Sequence, residues 1–286
     1  MIAVWWAYGV FGAVLAIGLA VLVRRGDWQQ AQGLDTLLLL GPIFYAAPVA
    51  AFGTEHFTLS SSMVSMVPHW IPGHLFWLYF VGGCFIAGAL SLVTGIQARL
   101  AASLFALTFF LFVVLMDAPG WAHHLDNRFA AALTLRELSF SGGALALAAS
   151  LNGAWRDRGR RALATVARYC VGVPVLFYAF EQLRHAHHVP GIPLELVTPV
   201  WIVGHAFWTY FAGAVYVVAG LYLLAGRKTR AAATWIAATV LVVELAVYVP
   251  FAVAERASLV GFNYLADTLM YGGAVLLLAG AMPREE

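Results

Sequence analysis

The chain has 286 residues, of which 62% are apolar and 10% charged, with a formal net charge of +2. With a mean hydropathy of +0.83, this excludes a soluble compact domain and identifies an integral membrane protein. The expected unit is a helix of ~20 apolar residues, long enough to cross a hydrocarbon layer of ~30 Å.

Nine such spans are predicted, at 2–23, 37–53, 73–94, 99–117, 131–151, 165–183, 202–225, 231–250 and 261–281. No basic stretch precedes the first and no small-residue cleavage site follows it. Residues 1–36 are therefore expected to be an extra amino-terminal helix with its cytoplasmic loop, not a removable signal. The other spans form two copies of one unit, 37–151 and 165–281, joined by a basic linker at 152–164 and followed by a tail at 282–286. The pattern P-x-W-I-x-G-H-x-F-W-x-Y-F-x-G runs from Pro68 to Gly82 and again from Pro199 to Gly213. Extended without gaps, Val67 to Ala102 and Thr198 to Ala233 share 16 identities in 36 positions, Arg99 with Arg230 among them. A duplicated four-helix unit therefore sets an all-α architecture.

Twelve of the 16 Lys and Arg residues fall at one end of the spans, against Arg128, Arg136, Arg184 and Arg256 at the other. That excess predicts an amino terminus outside and a carboxyl terminus in the cytoplasm, and the expected location is a prokaryotic cytoplasmic membrane. Four helices per copy make both copies enter the membrane in the same direction, so the pseudo-two-fold axis runs along the membrane normal. The linker charge reads as a topology signal, and membrane lipid, not nucleic acid, is the expected surroundings. All nine histidines map to outer loops or outer helix ends, near Glu55, Asp117, Asp126, Glu137, Glu181, Glu195, Glu255 and Asp267. Cys84 and Cys170 are single and do not occupy matching places, so a dithiol motif is absent.

Glu55 and His56 end one helix and His74 starts the next, a spacing that lets them meet across the outer loop as a proton-relaying carboxylate–imidazole pair. The alternative is that they only satisfy loop backbone in the headgroup zone. Trp77 and Trp208 follow His74 and His205 by three residues, on one helix face, as interfacial anchors or as a box for a ring ligand. Glu244 lies ~9 Å inside the outer end at Pro250, where an acid is a functional-site candidate by default. The repeat aligns Asp117 with Tyr248, one turn from Glu244. Arg136, Glu137 and Asp267 add charges on the fourth helices, where an ion pair such as Arg136 with Asp117 that merely fixes packing is the competing reading. The clusters His185-x-His187-His188 and His123-His124-x-Asp126 match no established zinc spacing, so metal binding stays unproven. No haem-ligand pair faces across mid-helix positions, and no covalent cofactor is expected.

Phe52-Gly53-Thr54-Glu55-His56-Phe57, Val67-Pro68 through Ile71-Pro72, and Leu135-Arg136-Glu137-Leu138 with Ser141-Gly142-Gly143-Ala144-Leu145 resemble the DoxX-like family of four-helix membrane proteins. The resemblance covers about residues 37–281. The second copy keeps the central pattern and Asp267 ahead of Gly272-Gly273-Ala274, but has Glu181-Gln182-Leu183-Arg184-His185 in place of Gly-x-Glu-His. It implies a subunit associated with quinol oxidase or thiosulfate:quinone oxidoreductase complexes, hence a quinone ligand, or an assembly or trafficking factor with a membrane-protein partner. A small-solute or metal transporter with its site between the repeats is a third class that parallel duplication allows. The leading expectation is a respiratory accessory or quinone-interacting subunit, at most part of a quinone-linked oxidoreductase, with an outward-facing polar pocket in each copy. The first would use Glu55, His56, His74, Asp117, Arg136 and Glu137, and the second Glu181, His185, His205, Glu244 and Asp267, with Trp77 and Trp208 alongside.

Overall fold

The computed structural model describes residues 2–151, 158–188 and 198–284, apart from the side chains of Ile2, Arg158, Arg160 and His205. Nine long helices account for most of it: α1 (Ile2–Arg25), α2 (Gly41–Thr58), α3 (His74–Thr94), α4 (Ala98–Phe112), α5 (Arg128–Ser150), α6 (Arg158–Arg184), α7 (His205–Ala225), α8 (Thr229–Val243) and α9 (Leu259–Ala281). Eight are, by themselves or with their continuations, long and apolar enough to cross a membrane. The ninth, α5, matches α9 at 23 residues but carries Arg128, Arg136 and Glu137, and it is sheathed by α4, α6 and α9. Of the linker, residues 152–157 lie outside the described residues, and α6 already begins at Arg158, so the expected start at 165 is too late.

The duplication extends to the helix ends. Helices α3, α4 and α5 recur 131 residues later as α7, α8 and α9 with both termini in register. At 126 residues, the offset between α2 and α6 pairs Pro48 with Pro174 and Glu55 with Glu181. Packing confirms this register: Gly53 lies against Gly82 in the first copy, and Ala179 against Gly213 in the second. The difference in offset is taken up in the loop that follows α6. The acid of Gly-x-Glu-His is thus kept as Glu181, while its glycine is replaced by Ala179 and its imidazole by Gln182.

Both third helices break pattern at one place. The helix of α4 continues through a five-residue π turn, Val113–Asp117, into Ala118–His123, and that of α8 through Glu244–Tyr248 into Val249–Ala254. Pro119 and Pro250 follow each turn; lacking an N–H, proline leaves the carbonyl four residues back unpaired and its ring crowds that carbonyl. The chain responds with wider bonds, Ala118 N–H to Val113 O and Val249 N–H to Glu244 O. Such single π turns re-aim the side chains they carry, here Asp117 and Glu244.

The helices form a closed ring in chain order from α2 to α9, with α9 returning to α2, while α5 and α9 also meet across the centre and α1 lies outside against α2 and α3. The first helix of each copy therefore packs on the fourth helix of the other, so the two four-helix repeats interlock. Two contacts join equivalent positions and so mark the pseudo-two-fold axis: Gly143 against Ala274, and Arg136 against Asp267. A Cβ on Gly143 would lie 2.6 Å from the Ala274 backbone, the close approach that small residues allow between membrane helices.

Candidate functional site

The site grows from that axis. One turn below the middle of α5, Arg136 donates Nη1–H to Asp267 Oδ2 of α9 at 2.6 Å and holds Nη2 at 3.6 Å from Glu137 Oε1. Its guanidinium also lies 5.7 Å over the Phe140 ring. The ion pair anticipated with Asp117 is not the one formed: the π turn of α4 aims Asp117 at the Glu137 carboxyl instead. Glu55 enters from α2 beside Asn263 and faces Asp267. Residues assigned to separate pockets by repeat are thereby joined in one cluster across the interface.

Its charge balance is uneven. One guanidinium faces three carboxyls, from Asp267, Glu137 and Asp117, and a fourth, that of Glu55, adjoins Asp267. Arg136 Nε, Glu137 Oε2, Asp117 Oδ2 and Glu55 Oε1 are buried without a hydrogen-bond partner among the described residues. Burying an unpaired charge costs several kcal/mol, so the surplus carboxyls call for protons, water or a ligand with donors and acceptors. In the second copy both Glu244 oxygens, Tyr248 Oη and Thr268 Oγ1 are likewise buried without partners. From Asp267 onward α9 carries no acid or base before its end, and from Glu137 onward neither does α5. The cluster thus lies in the half of the bundle that bears the histidine loops and does not continue as a charged path to the arginine end.

The histidines do not join it. His56 Nδ1 bonds Phe52 O at 2.7 Å and its ring meets the Phe85 edge, while His74 Nε2 bonds Pro68 O at 3.2 Å. Each imidazole is committed to a carbonyl, so the expected relay between Glu55, His56 and His74 is not assembled. Glu181 binds Arg128 Nε at 2.5 Å, with His185 Nε2 at 3.8 Å. Burial, and then the nearby Arg128, hold the His185 pKa below its ordinary value despite the Glu181 carboxylate. The His205 side chain and Glu195 lie outside the described residues. Among the described residues no three His, Cys, Asp or Glu groups gather to hold a metal ion.

Trp77 is exposed, and Trp208 donates Nε1–H to Val203 O at 2.9 Å. Beside them Phe76 stacks on Phe80 and Phe207 on Phe211, in matching geometry. These rings form an outward stripe on α3 and α7, far from a closed ring-binding box. Arg128 and Asn263 were missed as site residues. Asn263 stands four residues before Asp267, on the same helix face, which is a usable signal; Arg128 gave none, because its partner is reached only through the contact of α5 with α6.

No family model matches this sequence, and no curated protein or solved structure matches it.

Proposed function

We propose that the protein is a quinone-interacting accessory subunit of a membrane redox complex, in keeping with the DoxX-like resemblance, and that the inter-repeat acid–arginine cluster receives the quinone headgroup. The observation that carries this reading is the set of orphaned buried atoms around Arg136: guanidinium and protonated carboxyl donors suit the two carbonyl oxygens of such a ring. A bound quinone supplies two-electron, two-proton chemistry, its electrons coming from a partner redox enzyme. The chain's own part is to orient the ring through Arg136 and to hold or release protons at Glu137, Asp117 and Glu55. Confinement of these groups to one half of the bundle fits proton exchange with one side, and the arginine excess at the other end supports the reading that this side is the outside.

The test is binding of a short-chain ubiquinone or menaquinone analogue to the purified protein, alongside lipid-extract analysis for co-purified quinone. Parent protein is expected to bind, and Glu137→Gln, which keeps the shape of the side chain, to bind at least ~10-fold more weakly, the effect of losing about 1.4 kcal/mol. Parent protein without quinone and without response to either analogue overturns the reading. Such a result would favour the assembly-factor alternative, which rests on the exposed aromatic stripe repeated on α3 and α7.

A further inference from the structure

At the arginine end, away from the acid cluster, a lateral groove of about 370 Å³ runs between α4, α5 and α6. Its walls include Leu107, Phe110, Leu163, Val166 and Cys170, and Arg99 stands at its mouth. Leu107, Phe110, Leu163 and Val166 remain between 44% and 53% exposed, so the groove opens sideways toward lipid. Arg99 has no hydrogen bond or ion pair among the described residues.

The repeat shows what belongs in such a place. Arg230 is the equivalent of Arg99, and its Nη2 binds the Asp35 carboxylate at 2.8 Å while Nη1 reaches the Ala279 and Met282 carbonyls. Asp35 opens the short helix Asp35–Leu38, and Leu37, Leu38 and Leu40 behind it pack against the core. There the chain itself supplies an anion followed by an apolar tail. On the Arg99 side the 126-residue register puts Arg161 where Asp35 would be, Val166 for Leu40 and Cys170 for Phe44. The acid that pairs with Arg230 thus has no acidic counterpart for Arg99 at this position, and an aromatic ring becomes a thiol, so the groove stays open with the Arg99 charge at its mouth.

We infer that this groove binds an anionic phospholipid, its phosphate at Arg99 and one acyl chain along Leu107, Phe110 and Val166. The headgroup end belongs at the arginine end because a basic side chain at the membrane surface contributes ~1 kcal/mol toward anionic lipid. Charge complementarity and the filled counterpart point to the same occupant.

The experiment is thermal unfolding of the detergent-solubilised protein titrated with phosphatidylglycerol, phosphatidylcholine or inorganic phosphate. Phosphatidylglycerol is expected to raise Tm saturably and more than phosphatidylcholine does, with inorganic phosphate inert. Arg99→Gln is expected to weaken the phosphatidylglycerol response about 5-fold, the equivalent of ~1 kcal/mol, toward that of phosphatidylcholine. Val166→Trp, placed at a half-exposed position that tolerates bulk, is expected to fill the groove and abolish the response while the unliganded Tm holds. Equal responses to the two lipids, a response to phosphate alone, or unchanged selectivity in Arg99→Gln would each overturn the inference. So would native mass spectra in which Val166→Trp loses bound quinone and not phospholipid.

Discussion

Arg136 and Asp267 occupy one position of a duplicated unit and carry opposite charges, so a twofold arrangement brings them together where identical residues would repel. Glu244 and Asp267 were legible as candidates because any acid in an apolar span must be paired, neutral or wet. Their partners were not legible: nothing local in the sequence says that α5 and α9 cross at this level, and the closer acid, Asp117, looked the better match. His185 offers a sharper test at this scale. Its imidazole titration, followed by NMR, is expected below the ordinary value of ~6.5, since burial and Arg128 outweigh Glu181 in the folded protein. Glu181→Gln removes the one influence that favours the imidazolium and should lower the midpoint further; a midpoint that rises in this variant contradicts the assigned neighbours.

The spans, the repeat and its 131-residue offset are legible in hydrophobicity and pattern alone, whereas the 126-residue offset between α2 and α6 needs their packing. Two features of the elements were less accessible. The π turns needed the recognition that Pro119 and Pro250 lie inside continuing helices, whereas proline by itself reads as a helix end. The early start of α6 was hidden because Arg158, Arg160 and Arg161 are polar yet good helix formers. Glycine spacing carries the closest helix contacts. Gly143→Ala places its Cβ 2.6 Å from the Ala274 backbone, where overpacking is expected to cost about 1–3 kcal/mol in reversible unfolding from mixed micelles. Gly83→Ala enters open space on α3 and is expected to be neutral or to gain up to ~1 kcal/mol from helix propensity. Equal effects of the two substitutions would deny the close crossing on the axis.

At the scale of the whole molecule, the interlocked ring explains why a pocket contained within each copy is not what the fold builds. Because α2 packs on α9 and α6 on α5, the acid on each first helix faces the fourth helix of the other copy. Glu181 meets Arg128 there, and Glu55 meets Asn263 and Asp267. Divergence of the copies has concentrated acids near the axis and left the lateral groove open on one side only. The account therefore stands on the claim that Arg136 and Asp267 are equivalent positions joined about a two-fold axis. The direct measurement is unfolding of Arg136→Asp, Asp267→Arg and the double exchange in mixed micelles. Arg136→Asp leaves only acids facing across the axis and is expected to cost about 3–5 kcal/mol, as for a broken buried pair, whereas Asp267→Arg sets two guanidiniums together beside Glu55 and Glu137 and is expected to cost less. The exchange is expected to recover at least half of the Arg136→Asp loss, whereas a double variant no more stable than the weaker single would contradict the pairing.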